Sequence, residues 1–263
     1  DTLETYTEEN SASPEVLARV VKEVQKRYPA SSYGLVLWSH GLGWVPPEYS
    51  FPGGYAMRLP DPDMPRTKYY AEDEHPGTTG KAYMDIREMA ARLPGHFNFI
   101  LWDVCFMGGI EVAYELRNKT DYMIASPAEV ISNGFPYEKM MPLLWGGEEA
   151  MKQICREYYN HYNKYQVNSL WRSAVVGLVK TEELEPLVAK VRTLLAGKTD
   201  YARAWHYPLN QGGLPMVFFD FGDYIRKMTT EEEYNSFKKQ LDRVVIYKAA
   251  TEKLFGDEVP ADK

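Results

Sequence analysis

A chain of 263 residues with 44% hydrophobic and 25% charged residues has the length and balance of a globular protein with a core of its own. Its formal net charge of −7 argues against a nucleic-acid backbone as partner, and no apolar run reaches the length of a membrane span. Two cysteines make neither a disulfide framework nor a structural zinc set.

The chain opens on polar residues, Asp1-Thr2-Leu3-Glu4-Thr5-Tyr6, with no leader peptide among them. An aromatic content of 14%, with twenty tyrosines, suits a secreted, periplasmic or cell-surface protein. Ser13-Pro14-Glu15 predicts a helix start, with a serine cap, proline at the first position and an acid in the first turn. Val16, Leu17, Val20, Val21 and Val24 then make an apolar stripe opposite Lys22, Glu23, Lys26 and Arg27, and Tyr28-Pro29 ends it. Residues 33–38 lack polar alternation and predict a strand buried on both faces, which runs into Ser39-His40-Gly41-Leu42-Gly43-Trp44. Residues from about 45 to 80 are rich in Pro, Gly, Tyr and charge without a period, and predict a long loop of the functional or partly disordered kind.

A helix over 84–93 stops at Pro94-Gly95. Residues 97–103 then read as a strand ending on Asp103, followed by Cys105, the turn glycines Gly108 and Gly109, and a helix over 110–116. Further on come a short strand over 121–126, a helix from 148 to about 165 and a strand over 170–179. Thr181 caps a helix whose face is Leu184, Leu187, Val188, Val191 and Leu195, closed by Gly197. Residues 214–219 predict another strand, and the capping box Thr230-x-x-Glu233 opens a last helix through Tyr234, Phe237, Leu241 and Val244. Strand and helix alternate throughout, so the expectation is a single α/β/α sandwich domain over 1–263 with a mostly parallel central sheet.

The chemistry sits at two strand ends. Cys105 follows the carboxyl edge of its strand, where open α/β sheets bind ligands. It also lies ahead of a helix, whose dipole favours the thiolate, the form that attacks. His40 stands at the carboxyl end of the earlier strand. In neighbouring parallel strands, imidazole and thiol would emerge at one edge and supply the proton-transfer group and nucleophile of acyl transfer. Gly41 allows close backbone approach, and the N–H groups of Gly41 and Cys105 are the candidate oxyanion hole. The bland alternative is a structural histidine and a buried, inert cysteine. Asp103, two residues before Cys105 in extended backbone, points to the same side. It either attracts a substrate Arg or Lys or caps the helix that follows. The catalytic reading requires both groups at one rim, with the sulfur within a peptide's reach.

His40-Gly41 after an apolar strand, and later Asp103-x-Cys105-x-Met107-Gly108 opening a helix, resemble the clostripain (C11) family of cysteine peptidases, of the caspase and gingipain clan. Asn10-Ser11-Ala12-Ser13-Pro14, Met84-Asp85-Ile86, Glu111-Val112-Ala113-Tyr114-Glu115-Leu116 and Ala125-Ser126-Pro127-Ala128-Glu129 are similar to family segments, and the likeness is best over about residues 8–140. The resemblance implies a caspase-like fold, a peptide or protein substrate, and a cysteine endopeptidase with nucleophile Cys105 and general acid/base His40. It further implies that Asp103 lines a pocket for a basic residue. Glu129 is either a second acid of that pocket or a solvated loop residue. Self-cleavage in the loop after the histidine is common in the family, and Arg58, Arg66 and Lys68 are basic sites there. The resemblance also implies a sheet strand where this sequence opens on a helix.

Some relatives use calcium, and Asp61-Pro62-Asp63 and Glu72-Asp73-Glu74 are acidic clusters. They break the EF-hand pattern, so solvated charge and no cofactor are expected. His75, His96, His161 and His206 lack metal-ligand spacing, Cys155 reads as packing, and Asp220 and Asp223 as caps. No Gly-x-Ser-x-Gly elbow or phosphate-cradling loop is present. Two other readings stay open: a catalytically silent secreted binding protein with the 45–80 loop as its contact surface, and a cysteine hydrolase or acyltransferase acting on a non-protein substrate.

Overall fold

The computed structural model describes residues 2–45, 71, 73, 82–165, 168–198, 203–208 and 218–260. Helix α1 (Pro14–Arg27) starts as its sequence dictates, with the Ser13 hydroxyl accepting from the Val16 N–H and Pro14 filling the first position. Leu17 and Val21 pack inward, whereas Val24, expected on the same stripe, is exposed. Strand β1 (Gly34–Trp38) is followed by α2 (Ile86–Arg92), whose first N–H groups bond to the Asp85 side chain. Then come β2 (Phe97–Asp103), α3 (Ile110–Leu116), β3 (Thr120–Ala125) and a short α4 (Tyr137–Met140). The long α5 (Glu148–Asn163) precedes β4 (Val175–Lys180) and α6 (Leu184–Leu195). The described chain closes with α7 (Phe221–Met228), α8 (Glu231–Val244), β5 (Val245–Ala250) and the hairpin β6 (Lys253–Leu254) and β7 (Asp257–Glu258).

The main sheet has the order β1-β2-β3-β4-β5. β1, β2 and β3 are parallel, β4 runs against β3, and β5 against β4, so four of the five strands share one direction. Side chains of a strand alternate between faces, and β2 divides accordingly. Phe99 and Leu101 face a core built with Met151, Ile154, Tyr158 and Tyr162 of α5. Ile100 and Trp102 face the second core, formed with α1, α2, α3, α6, α7 and α8, which Phe97 joins at the start of the strand. The helices thus cover both faces of the sheet, as the alternating pattern predicted.

β1 departs from expectation. It lies at the sheet edge among the described residues, only Leu37 in it is buried, and Trp38 is 66% exposed. An uninterrupted apolar run does not reveal how many neighbours a strand will have. The region predicted as strand from 170 begins with a 3₁₀ turn, Ser169–Trp171, and the strand itself starts at Val175. β5 escapes the pattern because it continues from α8 without a break. The predicted strand over 214–219 falls mainly outside the described residues, and Phe219 makes a bridge to His206. Of the 45–80 loop only Val45, Ala71 and Asp73 are described, so its basic sites, and the acidic clusters apart from Asp73, lie outside the described residues.

Candidate active site

The register of β1 on β2 runs in step from Gly34↔Phe99 to Trp38↔Asp103. His40 and Cys105 each follow two residues after that last pair, so both candidates leave the sheet at the same edge. His40 is half-buried, and next to it the Ser39 hydroxyl accepts from the Ala71 N–H at 2.6 Å. Gly41, the expected oxyanion glycine, is buried.

The turn after β2 is stitched to the chain that follows β3. The Phe106 N–H donates to the Ala128 carbonyl at 2.9 Å, and the Gly108 N–H to the Ser126 carbonyl at 2.8 Å. Gly108 is required there, because a Cβ on it would lie 2.5 Å from the Pro127 nitrogen. Phe106 adopts φ +61°, the left-handed region a non-glycine residue rarely enters, and such strained positions cluster at functional sites. Its ring stacks on Phe218 with centroids 4.2 Å apart. Gly43, at φ +55°, brings the His40 loop against this turn, since a Cβ on it would sit 2.5 Å from the Phe106 carbonyl oxygen. Sequence reasoning chose Gly41 as the glycine of close approach and did not single out Gly43.

Cys105 is fully buried. Its sulfur accepts from the Val130 N–H at 3.2 Å and donates to the Val130 carbonyl at 3.6 Å. One expectation therefore needs correction. A sulfur within a peptide's reach is not what this structure presents, because the turn folds the thiol inward. The helix that follows, α3, begins at Ile110 with Gly109 as its cap, five residues beyond Cys105.

Asp103 is also fully buried, on the same side of β2 as Cys105, and does not cap α3. Its Oδ2 accepts from the hydroxyl of Tyr137, the first residue of α4, at 2.9 Å. Burial first, then the negative charge of Asp103, push the Tyr137 phenol well up and keep it a donor. Tyr158 of α5 is raised too, chiefly by burial, with the charges of Tyr162, Asp103 and Cys105 adding. Its hydroxyl has no hydrogen-bond partner among the described residues. Glu129 is 3% exposed, so the solvated-loop reading of it is wrong. Tyr137 carries no local sequence signal, since it reaches Asp103 only through the fold.

Cys155 is buried in α5, and burial pushes its thiol up; it packs as expected. Asp220 caps α7 by accepting from the Asp223 N–H at 2.7 Å. His96 bonds Asp121 at 2.8 Å. Asp73 spends Oδ2 on the Ser11 hydroxyl at 3.0 Å, and among the described residues no group of three His, Cys, Asp or Glu could hold a metal ion. A cavity of about 570 Å³ lies on the opposite side of the sheet, over Met123, Ala125, Gly177 and Val179 and under α7 and α8. It touches Phe106, Gly108 and Gly109 from behind, but not His40, Asp103 or Cys105.

Residues 2–259 match the model of the clostripain family, peptidase C11. A solved inactive zymogen of a C11 protease from Parabacteroides distasonis is 35% identical, with a TM-score of 0.76, over 99% of this chain and 70% of that one. A secreted C11 cysteine protease from Bacteroides thetaiotaomicron, solved with an irreversible peptide inhibitor, is 29% identical with a TM-score of 0.72, over 93% of this chain and 65% of that one. Clostripain of Hathewaya histolytica is 26% identical over 148 residues, which are 53% of this chain and 26% of that protein. The alignment thus spans about a quarter of the length of that curated relative.

Proposed function

This chain belongs to the clostripain family, and we propose that it is a secreted cysteine endopeptidase that cuts after arginine or lysine. Cys105 is the nucleophile and His40 the general acid and base. The Cys105 thiolate attacks the scissile carbonyl carbon, and the oxyanion is held by the N–H groups of Gly41 and Cys105. The C–N bond breaks as the imidazolium of His40 protonates the leaving amine. His40 then takes a proton from water, whose oxygen displaces sulfur from the thioester and frees the second product. Asp103 attracts the substrate's cationic side chain. The observation that carries this reading is the in-step parallel register of β1 and β2, which brings the His40 and Cys105 loops to one edge.

Attack requires the bonds between Cys105 and Val130 to open. In this reading the buried thiol belongs to a closed state of the site, and one of the similar structures is an inactive zymogen. The buried sulfur favours a second reading, a catalytically silent binding protein on the same scaffold. Fluorogenic peptides carrying Arg or Lys before the scissile bond separate the two. The expected result is hydrolysis that falls by about 10³-fold or more in Cys105→Ala and in His40→Ala. A peptidyl electrophile ending in Arg should label Cys105, read by mass spectrometry. Neither hydrolysis nor labelling would establish the silent reading, and labelling without proteolysis would point to a non-protein substrate.

A further inference from the structure

The proposed basic-residue pocket already contains a hydrogen-bond donor of its own. The carboxylate of Asp103 has no exposed surface, and the hydroxyl of Tyr137 donates to its Oδ2 at 2.9 Å. That carboxylate has no exposed surface, so a cationic side chain reaches it only by displacing a group that now covers it, and the partly exposed Tyr137, bonded to Oδ2, is such a group. The surroundings are those a long cation would use. Trp38, in register with Asp103 and on the same face of the sheet, is 66% exposed. The Tyr158 hydroxyl, in the core that also holds Cys105, is buried and has no hydrogen-bond partner among the described residues. Tyr137 is itself 36% exposed at the start of the four-residue helix α4, so its ring has an outward path.

We propose that Tyr137 is a specificity-determining residue: its hydroxyl occupies the cation position at Asp103 in the closed state, and only a side chain with stronger donors displaces it. This rests on the reading of Asp103 as the pocket acid. The consequence is a threshold. A guanidinium or ammonium makes charge-assisted bonds to the carboxylate and wins the exchange, whereas a neutral side chain of the same shape does not. Affinity for the cation is reduced by the fraction of molecules in which the tyrosine holds the site.

The test is equilibrium binding, measured by calorimetry on the whole chain, of two product-type tripeptides ending in arginine or in its neutral isostere citrulline. Neither leaves a bond to cleave after that residue, so the readout does not depend on turnover. In Tyr137→Phe, affinity for the arginine peptide should rise about three- to tenfold as its competitor is removed, with the citrulline peptide unchanged within about twofold. Tyr137→Leu, which also removes the ring, should move the arginine peptide in the same direction. An unchanged or weakened arginine affinity in Tyr137→Phe, or equal shifts for both peptides, overturns the proposal. Asp103→Asn separates this from the reading beneath it. If that variant still prefers arginine, Asp103 is not the pocket acid and both ideas fall; if the preference disappears while Tyr137→Phe changes nothing, only the role of Tyr137 falls.

Discussion

At the scale of single residues, Gly43 and Phe106 decide how the loops that follow β1 and β2 meet. Phe106 turns the chain through a left-handed conformation directly after Cys105, which sends the thiol inward to Val130. Gly43 lets the loop after β1 rest on that turn at backbone contact. Its neighbour there is a carbonyl oxygen rather than the end of a flexible side chain, so the crowding cannot be relieved by a rotamer change. Gly43→Ala adds a methyl at positive φ as well as this clash. It should cost about 1–3 kcal/mol of stability, lower the urea midpoint without changing its slope, and reduce peptide hydrolysis by displacing one loop from the other. An unchanged midpoint would mean that the loops are not in contact in solution.

At the scale of elements, α8 shows how much a terminus contributes. The Thr230 side chain accepts from the Glu233 N–H at 3.3 Å, and the Glu233 carboxylate accepts from the Thr230 N–H at 2.9 Å. Thr230→Ala removes one half of this box and should cost about 1 kcal/mol, read from thermal or urea unfolding. The other half depends on pH. The Thr230 N–H, first among its neighbours, holds the Glu233 carboxyl below the ordinary carboxylate range. A depressed folded pKa means that the unfolded chain binds its proton first as pH falls. The contribution is therefore complete above the ordinary carboxylate value and disappears as pH drops through the folded one. Glu233→Gln should flatten that part of the acid limb of stability and lower stability at neutral pH by the share that depends on the carboxylate charge. An acid limb identical to wild type would exclude Glu233 as a contributor.

At the scale of the whole molecule, the sheet separates a side that carries the candidate site from a side that supports it. Ile100 and Leu101 are adjacent, both fully buried, and face opposite cores. Ile100→Ala and Leu101→Ala should each cost about 2–5 kcal/mol through lost burial and residual cavity. They should part in function. Leu101 shares its core with Cys105, Phe135 and Tyr158, so its truncation should alter affinity for the arginine tripeptide. Ile100 packs with the helices behind the sheet, and its loss should leave that affinity in place once the folded fraction is taken into account. Equal effects on affinity would mean that the two cores transmit strain to the site alike.

The sequence by itself determined the elements whose signals are local. The Ser13, Asp220 and Thr230 caps, the apolar run from Phe97 to Asp103 and the glycines after Cys105 each act within a few residues, so they appear in the chain as they do in the fold. The order of these segments was also enough to identify the family. Tertiary structure alone decided the rest, because burial and register are set by residues distant in the chain. Trp38 is exposed on β1, which lies at the sheet edge among the described residues, and β5 pairs with β4 directly after a helix. Cys105 is sealed by Val130, 25 positions later, and Asp103 by Tyr137, 34 positions later. No periodicity spans those distances; only the packing of α4 and α5 against one face of the sheet brings these groups together.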